Sequence, residues 1–305
     1  MFILDKQQLR QFLPQLERDL PRSLPVFHLV RNVVRERFAW PGLEFVVDDF
    51  PNVSVCICRP EPSGENYVPI MNGYVVFVYS TNTSILKQML YEQRVVDWTK
   101  PIMFADITEP EHLVLLEDGK HLPDGRFDQL VYRKGQPEGA IAYHFDLPNL
   151  DLSYEVPKGY RMGTLQPHHA AIISRDRKYG HEANNTIYFR YLIENGFPTA
   201  ALFPDDEPDN PVAYVLYKGE GVIGAAFVKP QLRNAGIVRA VGHAVMQKLR
   251  DMGEDWLWGD VMKFNLASQQ AVEAGGGKRI PGMDIHWIGY LPNSEQGDIK
   301  VEYYV

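Results

Sequence analysis

The chain has 305 residues, of which 45% are apolar and 23% are charged, and its formal net charge is −8. This length predicts two domains, or two lobes of one unit, and the apolar content excludes a disordered chain. The acidic balance, without a run of Lys or Arg, excludes general nucleic-acid binding, because phosphate neutralisation needs a basic face.

The start of the chain and the cysteines bear on the compartment. The apolar "MFIL" ends at Asp5 without a signal-peptide core, and no apolar run approaches the ~18 residues of a membrane span. Strand alternation would place Cys56 and Cys58 on one face, too close in sequence for an ordinary disulfide. We therefore expect inert, buried thiols in a cytoplasmic protein that binds no membrane.

Apolar spacing and strand composition predict the elements of the first half. The predicted order is helices 5–20 and 23–38, strands 43–50, 52–59 and 73–80, a helix around 85–90, a strand 101–105, a helix after Thr108 and a strand 127–133. Thr108 is the predicted N-cap of its helix. Residues 134–159 are rich in Pro and Gly and predict a loop, so we place the boundary near residue 150, between domains 1–150 and 151–305.

The second half repeats this order. It predicts a strand 158–165, helices 167–177 and 184–195, strands 198–203, 211–218 and 221–230, a helix 237–250, a strand 254–259, a helix 265–274 and a strand 284–291. The repeated order indicates an internal duplication, although no sequence repeat accompanies it. His168 and His169 are adjacent and are expected to diverge on a helix, so no metal site is predicted.

The junction "FVKPQLRNAGIVRAVG", residues 227–242, indicates an anion site. A helix start leaves amide hydrogens unpaired, Gly236 permits close backbone approach, and Arg233 can donate two hydrogen bonds to a phosphate. The alternative is an ordinary helix cap with solvated arginines. The preceding strand favours the phosphate, because its small residues leave room for a thin ligand. They are Gly221, Gly224, Ala225 and Ala226.

Arg233, Gly236 and Val238 occupy the places of a known signature: Arg or Gln, two residues, Gly, one residue, then Gly or Ala, after a central strand. The sequence thus resembles the GNAT superfamily of acyl-CoA-dependent N-acyltransferases, although Val238 departs from the usual small residue. Within it, the chain is similar to the glycine N-acyltransferase family. The similar segments are "LPRSL" (20–24), "VVDW" (95–98), "GFP" (196–198), "PVAYVLY" (211–217), "KPQLRNAGIV" (229–238) and Asn265.

The resemblance implies an α/β (α+β) fold, with a mixed, mostly antiparallel GNAT-type sheet in the second half and a first half that is a degenerate second copy. It implies that the pyrophosphate of coenzyme A is held by backbone amides of the loop, namely those of Asn234, Ala235, Gly236, Ile237 and Val238. The pantetheine arm would pair with the backbone near Phe227 and Val228. Asn265 and Ser268 would approach its far side, and their alternative is a helix cap with a solvent-facing serine.

The usual catalytic groups of these enzymes are missing. Counted from Arg233, the place of the family's glutamate base is Val222, and the tyrosine that many GNAT enzymes use as acid falls at Val272. Glu220 and Asp260 are the nearby substitutes, although each could be an ordinary turn carboxylate. "GEGVIG", residues 219–224, matches a dinucleotide fingerprint but leads into a strand, so it predicts no nucleotide site.

Two hypotheses follow. The first is an N-acyltransferase that moves an acyl group from a CoA thioester to a small amine or amino acid, without a metal. The second is a catalytically silent GNAT-fold protein that binds acyl-CoA or a protein partner, as Val222 and Val272 suggest. We favour the enzyme, since positioning of the two substrates supplies much of the rate.

Overall fold

The computed structural model describes residues 1–71, 73–119, 124–132, 134–176, 182–295 and 301–302. The helices are α1 (Lys6–Arg18), α2 (Leu24–Val34), α3 (Thr83–Lys87), α4 (Glu109–Leu113), α5 (Ala170–Asp176), α6 (Glu182–Glu194), α7 (Ile237–Asp251) and α8 (Leu266–Ala274). The strands are β1 (Phe2–Ile3), β2 (Leu43–Val47), β3 (Val55–Pro60), β4 (Tyr74–Ser80), β5 (Ile102–Ile107), β6 (Gly125–Gln129), β7 (Val131–Tyr132), β8 (Ala140–Asp146), β9 (Tyr160–Gly163), β10 (Thr199–Pro204), β11 (Ala213–Tyr217), β12 (Ile223–Val228), β13 (Trp256–Met262), β14 (Lys278–Pro292) and β15 (Val301–Glu302).

The strands form three sheets. The large sheet has the order β1-β2-β3-β4-β5-β14-β8-β13, with β6 also paired to β14. A four-stranded sheet has the order β12-β11-β10-β9, and β7 pairs with β15. Strand pairs in the two larger sheets are antiparallel except β4 with β5. The predicted mixed, mostly antiparallel α+β fold is thereby confirmed.

Strand β14 connects elements from both halves of the chain. Its residues 288–290 pair with residues 102–104 of β5, while its earlier residues pair with β8. Strand β8 pairs along its whole length with β13. A strand from the end of the chain thus extends the sheet of the first half, and a strand from before residue 150 lies beside β13.

The prediction of a loop over residues 134–159 is wrong for β8. Its apolar run is short and flanked by Pro and Gly, which favoured a loop. The strand is stabilised by its neighbours, since β13 and β14 pair with its two edges and Ala140, Ala142 and Tyr143 are fully buried. Such tertiary pairing outweighs local propensity.

The opening helices form where their spacing predicts. Asp5 and Gln8 make a reciprocal capping box at the start of α1, whose Leu9, Phe12 and Leu16 are buried in the main core. In α2, every residue from Leu24 to Asn32 is buried. This second helix is therefore enclosed by the rest of the chain and does not lie on an open surface.

A buried ion cluster joins α2 and the residues after it to the second half. Glu254 has a side chain that is 4% exposed, and it pairs with Arg31 at 2.6 Å, with Arg35 at 3.1 Å and with Arg37. A buried carboxylate needs such partners, because desolvation alone would cost several kcal/mol. The cluster fixes the start of the chain against the turn before β13.

Three smaller expectations are settled in the described part of the chain. Cys56 and Cys58 are buried, unbridged thiols with their Sγ atoms 3.9 Å apart, as predicted. Thr108 is the N-cap residue of α4, as predicted, and its hydroxyl bonds the Glu111 side chain instead of a backbone amide. Among the described helices, none combines the length and apolar character that a membrane span requires.

Candidate active site

Strands β12 and β13 border the place where the thioester is predicted to bind. They run parallel and share one bridge, between Val222 and Trp258. Among the described residues, no ladder joins the rest of β12 to β13, while the other edge of β12 pairs with β11. Backbone groups on this unpaired edge are available to a ligand between the strands. We call this space the β12–β13 gap.

A β-bulge lies in β12 along this gap. The register to β11 shifts between Tyr214 and Leu216, so Val215 opposes two residues, Ala225 and Ala226. Ala225 has a φ of +52°, a left-handed conformation that residues other than Gly rarely adopt. Bulges and strained residues of this kind cluster at functional sites, where they redirect the backbone.

The loop after β12 leads to an open helix start. Helix α7 begins at Ile237 behind Gly236, whose φ is +72°, and Asn234 has a φ of +65°. No side chain of the described residues caps this helix, and its first turn carries no acidic residue. A Cβ added at Gly236 would meet no atom within 4 Å. The unpaired amides and the helix dipole therefore favour an anion here.

Residues around Gly236 differ in exposure. Arg233, Asn234 and Ala235 are exposed, Val238 is half-buried, and Ile237 is buried in the main core. Ile237 thus anchors the helix start while the loop before it faces solvent. This arrangement brings the predicted pyrophosphate residues together at one accessible surface.

The helix after β4, in the first half, is closed to an anion. There the Asn82 side chain accepts hydrogen bonds from the backbone amides of Ser84 at 3.1 Å and Ile85 at 3.2 Å. Two of the amides that could bind a phosphate oxygen are already paired. Of these two helix starts, the one at Gly236 is the open one.

The other predicted coenzyme A contacts lie near the same elements. The Nε atom of Arg233 donates to the Val228 carbonyl oxygen at 3.2 Å, which holds the guanidinium at the end of β12, where Phe227 and Val228 are half-buried. Asn265 caps α8 by accepting from the Ser268 amide at 3.2 Å, so the capping interpretation holds for Asn265. Ser268 is half-buried. The approach of either residue to coenzyme A stays a prediction.

The valines at the usual base and acid positions are packing residues. Val222 is 1% exposed and forms the bridge to Trp258. Val272 is half-buried, and its Cγ1 atom lies 2.6 Å from where a Cβ on Gly277 would be. Neither side chain exchanges a proton, so a base has to come from another element.

The small residues before and within β12 have two different explanations. Gly221 has a φ of +80°, and an added Cβ would lie 2.4 Å from the His28 ring of α2. At Gly224, the added Cβ would lie 3.1 Å from Cε of Lys218. The interpretation as clearance for a ligand is therefore wrong for Gly221, whereas Gly224 faces only the end of a flexible side chain and its interpretation stays a prediction. For Ala225 and Ala226 it stays a prediction.

Glu220 belongs to a buried polar cluster in the turn between β11 and β12. Its carboxylate pairs with the Lys218 ammonium and accepts a 2.8 Å hydrogen bond from the Tyr188 hydroxyl, which itself accepts from the Gly219 amide at 3.1 Å. Burial opposes ionisation, but the Lys218 charge and these hydrogen bonds outweigh it and lower the pKa of Glu220. A lowered pKa makes a weaker base, so this geometry does not favour Glu220, and its catalytic role stays a prediction.

Asp106 of β5 joins this cluster from the first half, and sequence reasoning missed it. The register of β5 to β14 shifts between His286 and Ile288, so Ala105 and Asp106 together oppose Trp287. Asp106 has a φ of +54°. It is thus a second strained residue in a β-bulge, as Ala225 is in β12. Because β5 and β14 are far apart in the sequence, no local pattern predicts the bulge between them.

The environment of Asp106 changes its acidity. The residue is 5% exposed, and burial raises the pKa of its carboxyl well above the usual range. The negative charges of Asp260 and Glu220 raise it further, whereas the Lys218 ammonium and a hydrogen bond from the Trp287 side chain oppose the shift. A raised pKa makes a carboxylate a stronger base, and carboxyl groups perturbed in this way are common at catalytic sites.

Asp260 completes the cluster. It is half-buried on β13, two residues after Trp258, and strand alternation places both side chains on the same face of the sheet. Its charge is the largest neighbouring contribution to the raised pKa of Asp106. The charges of the two predicted carboxylates, Glu220 and Asp260, therefore act on a third carboxyl, that of Asp106, which the first half supplies.

A possible metal-binding group occurs elsewhere in the described residues. His168, His169 and Asp209 each offer a ligand atom within 4.8 Å of the others. The expectation that the two histidines diverge is wrong, because their ring centroids are 4.0 Å apart on a single 3-10 turn. Nδ1 of His169 already accepts from the Gln166 amide at 2.8 Å, which leaves one ring nitrogen for a cation.

Comparison with known families agrees with this geometry. A family model described as aralkyl acyl-CoA:amino acid N-acyltransferase matches residues 1–198 of the 305. The matched part includes Asp106 and ends before the loop at Gly236. No curated protein matches the sequence.

Solved structures share the fold along most of the chain. A Drosophila protein is 12% identical with a TM-score of 0.74, covering 96% of this chain and 98% of its own. A tandem GNAT protein from the clavulanic acid biosynthesis pathway is 14% identical with a TM-score of 0.54, covering 97% and 98%. A GCN5-related N-acetyltransferase from Kribbella flavida is 12% identical with a TM-score of 0.53, covering 88% and 93%. At these identities the likeness shows the fold alone, which is that of GNAT proteins.

Proposed function

Because the chain belongs to the aralkyl acyl-CoA:amino acid N-acyltransferase family, we propose that it transfers an acyl group from a CoA thioester to the nitrogen of a small amine or amino acid. The observation that carries this proposal is the β12–β13 gap, because β12 leads to the uncapped helix start at Gly236 and β13 carries Asp260, whose charge acts on Asp106. The two faces of the gap suit the two substrates of such a transfer.

In this proposal the second half binds coenzyme A. The open amides at Gly236 and the nearby Arg233 would hold the pyrophosphate, as anions bind at other helix starts. The pantetheine arm would lie along the unpaired edge of β12 and reach the bulge at Ala225. The thioester would then lie beside Asp260 of β13.

The chemistry is direct attack without a covalent enzyme intermediate. The amine nitrogen forms a bond to the thioester carbon, and a carboxylate takes the proton that the nitrogen loses. The carbon–sulfur bond breaks, its electron pair leaves with sulfur, and the thiolate takes a proton to give free coenzyme A. Holding both substrates in one site supplies much of the acceleration.

We assign the base to Asp106, whose buried carboxyl has a raised pKa and so binds a proton more tightly than an exposed aspartate does. Asp260 would hold the incoming amine. Lys218 would stabilise negative charge on the thioester oxygen, because its side chain lies along Gly224 of β12, and Glu220 would orient Lys218 through their ion pair. The unbridged Cys56 and Cys58 support a reducing compartment, such as the cytoplasm.

A second candidate is a silent acyl-CoA-binding protein, favoured by the packed valines at positions 222 and 272. Release of free thiol from acetyl-CoA and benzoyl-CoA distinguishes the two, measured with and without a panel of amines and amino acids. Amine-dependent thiol release supports the enzyme. Binding of the thioester without any amine-dependent release supports the silent protein.

A further inference from the structure

We propose that the indole N–H of Trp258 donates a hydrogen bond to the carbonyl oxygen of the acyl thioester. The proposal rests on the proposed function, because it assigns a protein contact to the acyl group of that substrate. Trp258 lies on β13 at the β12–β13 gap, where its backbone forms the bridge to Val222. A contact with the reacting carbonyl would make Trp258 a catalytic residue, acting on the same oxygen as Lys218.

The indole N–H of Trp258 is a buried donor without an acceptor. The side chain is fully buried, and the described part of the chain supplies no acceptor for its Nε1 hydrogen. Trp40 and Trp98 are buried as well, but each of their indoles donates to a backbone carbonyl oxygen, at 2.9 and 3.0 Å respectively. Buried donors are normally paired, so the N–H of Trp258 indicates an acceptor from outside the chain.

The surroundings of Trp258 favour an uncharged acceptor. The indole packs with Val222, Ala142 and Met283 in a small apolar cluster. A phosphate or carboxylate would be a poorly compensated charge among these side chains, whereas a neutral carbonyl oxygen is satisfied by a single donor. An acyl-CoA offers such oxygens in the amides of its pantetheine arm and in its thioester.

The position of Trp258 in the sheet favours the thioester over those amides. Strand alternation places Trp258 and Asp260 on one face of β13, and the thioester is proposed to lie beside Asp260. On the same face, β8 carries Ala142 opposite Asp260 and Ala140 opposite the next residue of that face. Both alanines belong to the cluster around the indole. Their small side chains limit the bulk at the place where an acyl group would lie.

Part of this cluster comes from a segment of β14 that is not held by pairing with β8. The register between the two strands shifts between Arg279 and Asp284, so residues 280–283 lie opposite Ala142 alone. In this segment Gly282 is exposed with a φ of +70°, and Met283 is buried in the cluster. Methionine side chains repack easily. Movement of Met283 would therefore give an acyl group access to the indole without breaking a strand ladder.

A donor at this oxygen would assist the reaction as well as binding. When the amine nitrogen bonds to the thioester carbon, the electron pair of the carbonyl bond moves onto oxygen, and it returns as the carbon–sulfur bond breaks. A hydrogen bond from an indole in apolar surroundings strengthens as that negative charge develops. Trp258 transfers no proton in this step, so it acts by charge stabilisation alone.

Infrared spectroscopy of the thioester carbonyl tests the contact directly. Acetyl-CoA labelled with carbon-13 at the carbonyl is bound to the full chain without an amine, and its carbonyl stretch is compared with that of free acetyl-CoA. We expect a shift to lower frequency on the native chain, loss of most of that shift in Trp258→Phe, and the native shift in Trp98→Phe, whose indole has its own acceptor in another cluster. An unshifted carbonyl on the native chain, or the native shift in Trp258→Phe, would overturn the proposal.

Calorimetry distinguishes the thioester from the pantetheine amides. Free coenzyme A contains the amides but no thioester, so Trp258→Phe should weaken acetyl-CoA binding about three- to tenfold and leave the affinity for free coenzyme A unchanged. With saturating substrates, kcat should fall about 10²-fold. Equal weakening of both ligands would assign the donor to an amide or to packing, and the thioester contact would be wrong.

A closer replacement keeps the shape of the side chain. In β-(3-benzothienyl)alanine a sulfur atom takes the place of the indole N–H, so this residue at position 258 removes the donor and preserves the packing. We expect it to abolish most of the carbonyl shift, as Trp258→Phe does. A native carbonyl shift with this residue would show that packing explains the effect of phenylalanine, and it would overturn the proposal.

The outcomes separate this contact from the proposed function. A carbonyl shift that depends on Trp258, without amine-dependent thiol release, supports the contact and contradicts the enzyme. Amine-dependent thiol release with an unshifted carbonyl on the native chain overturns the contact and leaves the acyltransferase intact. Failure of the folded native chain to bind acetyl-CoA overturns both.

Discussion

The Trp287 side chain donates a hydrogen bond to the carboxyl of Asp106 within a β-bulge between β14 and β5. Trp287 comes from the last long strand of the chain, and Asp106 comes from the first half. The bulge holds Asp106 in a left-handed conformation with a φ of +54°. Neither half alone would build this arrangement, because the bulge needs a strand from each half of the chain.

Asp106→Asn should reduce acyl transfer by about 10² to 10⁴, the usual contribution of a general base. The folded state raises the pKa of Asp106, so this carboxyl stabilises the protein below its unfolded pKa of about 4 and loses that contribution as pH rises toward the folded pKa. Asparagine should therefore keep or increase Tm at pH 7, and it also tolerates a positive φ. Thiol release and thermal unfolding measure both effects. Lost activity with a lowered Tm would instead indicate a structural carboxylate.

Trp287→Phe should shift the pH dependence of the reaction. The Trp287 hydrogen bond lowers the pKa of Asp106, so its removal should move the rising limb of the pH–rate profile to higher pH. Trp98→Phe is the matched control, because the Trp98 indole donates to the Leu90 carbonyl at 3.0 Å in a different cluster. Both variants remove one indole hydrogen-bond donor and keep an aromatic ring. An equal shift in both profiles, or no shift in either, would show that Trp287 does not set the pKa of the base.

Glu220→Gln should affect stability and leave the rising limb of the pH–rate profile in place. The folded state lowers the pKa of Glu220, so its contribution to stability is present above its ordinary pKa and lost as pH falls through the folded value. Removing one partner of this buried pair should cost about 2–4 kcal/mol at pH 7, and the difference from the native chain should shrink below about pH 4. Urea unfolding at several pH values measures it. Loss of the rising limb from the pH–rate profile of Glu220→Gln would instead indicate that Glu220 is the base.

Gly221→Ala should destabilise the contact between α2 and the turn before β12. The new Cβ would lie 2.4 Å from the His28 ring, at a φ of +80°, so we expect a cost of about 2–4 kcal/mol. Gly253→Ala places the same residue at a φ of +82° with no atom within 4 Å and controls for backbone strain. Combining Gly221→Ala with His28→Ala should cost less than the two single changes added together. Full additivity would contradict the steric explanation.

The sequence predicted the elements that have their own periodicity or composition. The opening helices, the strands around Cys56 and Phe227, and helix α7 all lie where their patterns indicated. Strand β8 was missed because its pairing with β13 and β14 is set by tertiary contacts and not by its local sequence. The glycines at 221 and 224 were identified as unusual residues for a strand. The His28 and Lys218 side chains that lie next to them could be located only from the fold.

The proposed coenzyme A side of the candidate site could be read from the sequence, and the proposed acceptor side less so. The loop around Gly236 is contiguous, so its residues could be recognised together. Asp260 and Glu220 were found by their proximity to the same strands. Asp106 could not be found in this way, because a strand register shift between distant segments places it beside Asp260.

Calorimetric titration with acetyl-CoA measures whether the open helix start at Gly236 binds the pyrophosphate of coenzyme A. The titration compares the native chain with Gly236→Glu, which places a carboxylate where phosphate should bind, and with Gly253→Glu, a matched change at the other end of α7. We expect the native chain and Gly253→Glu to bind acetyl-CoA, and Gly236→Glu to bind it at least about 100-fold more weakly. Native-like binding by Gly236→Glu, or no binding by the folded native chain, would contradict it.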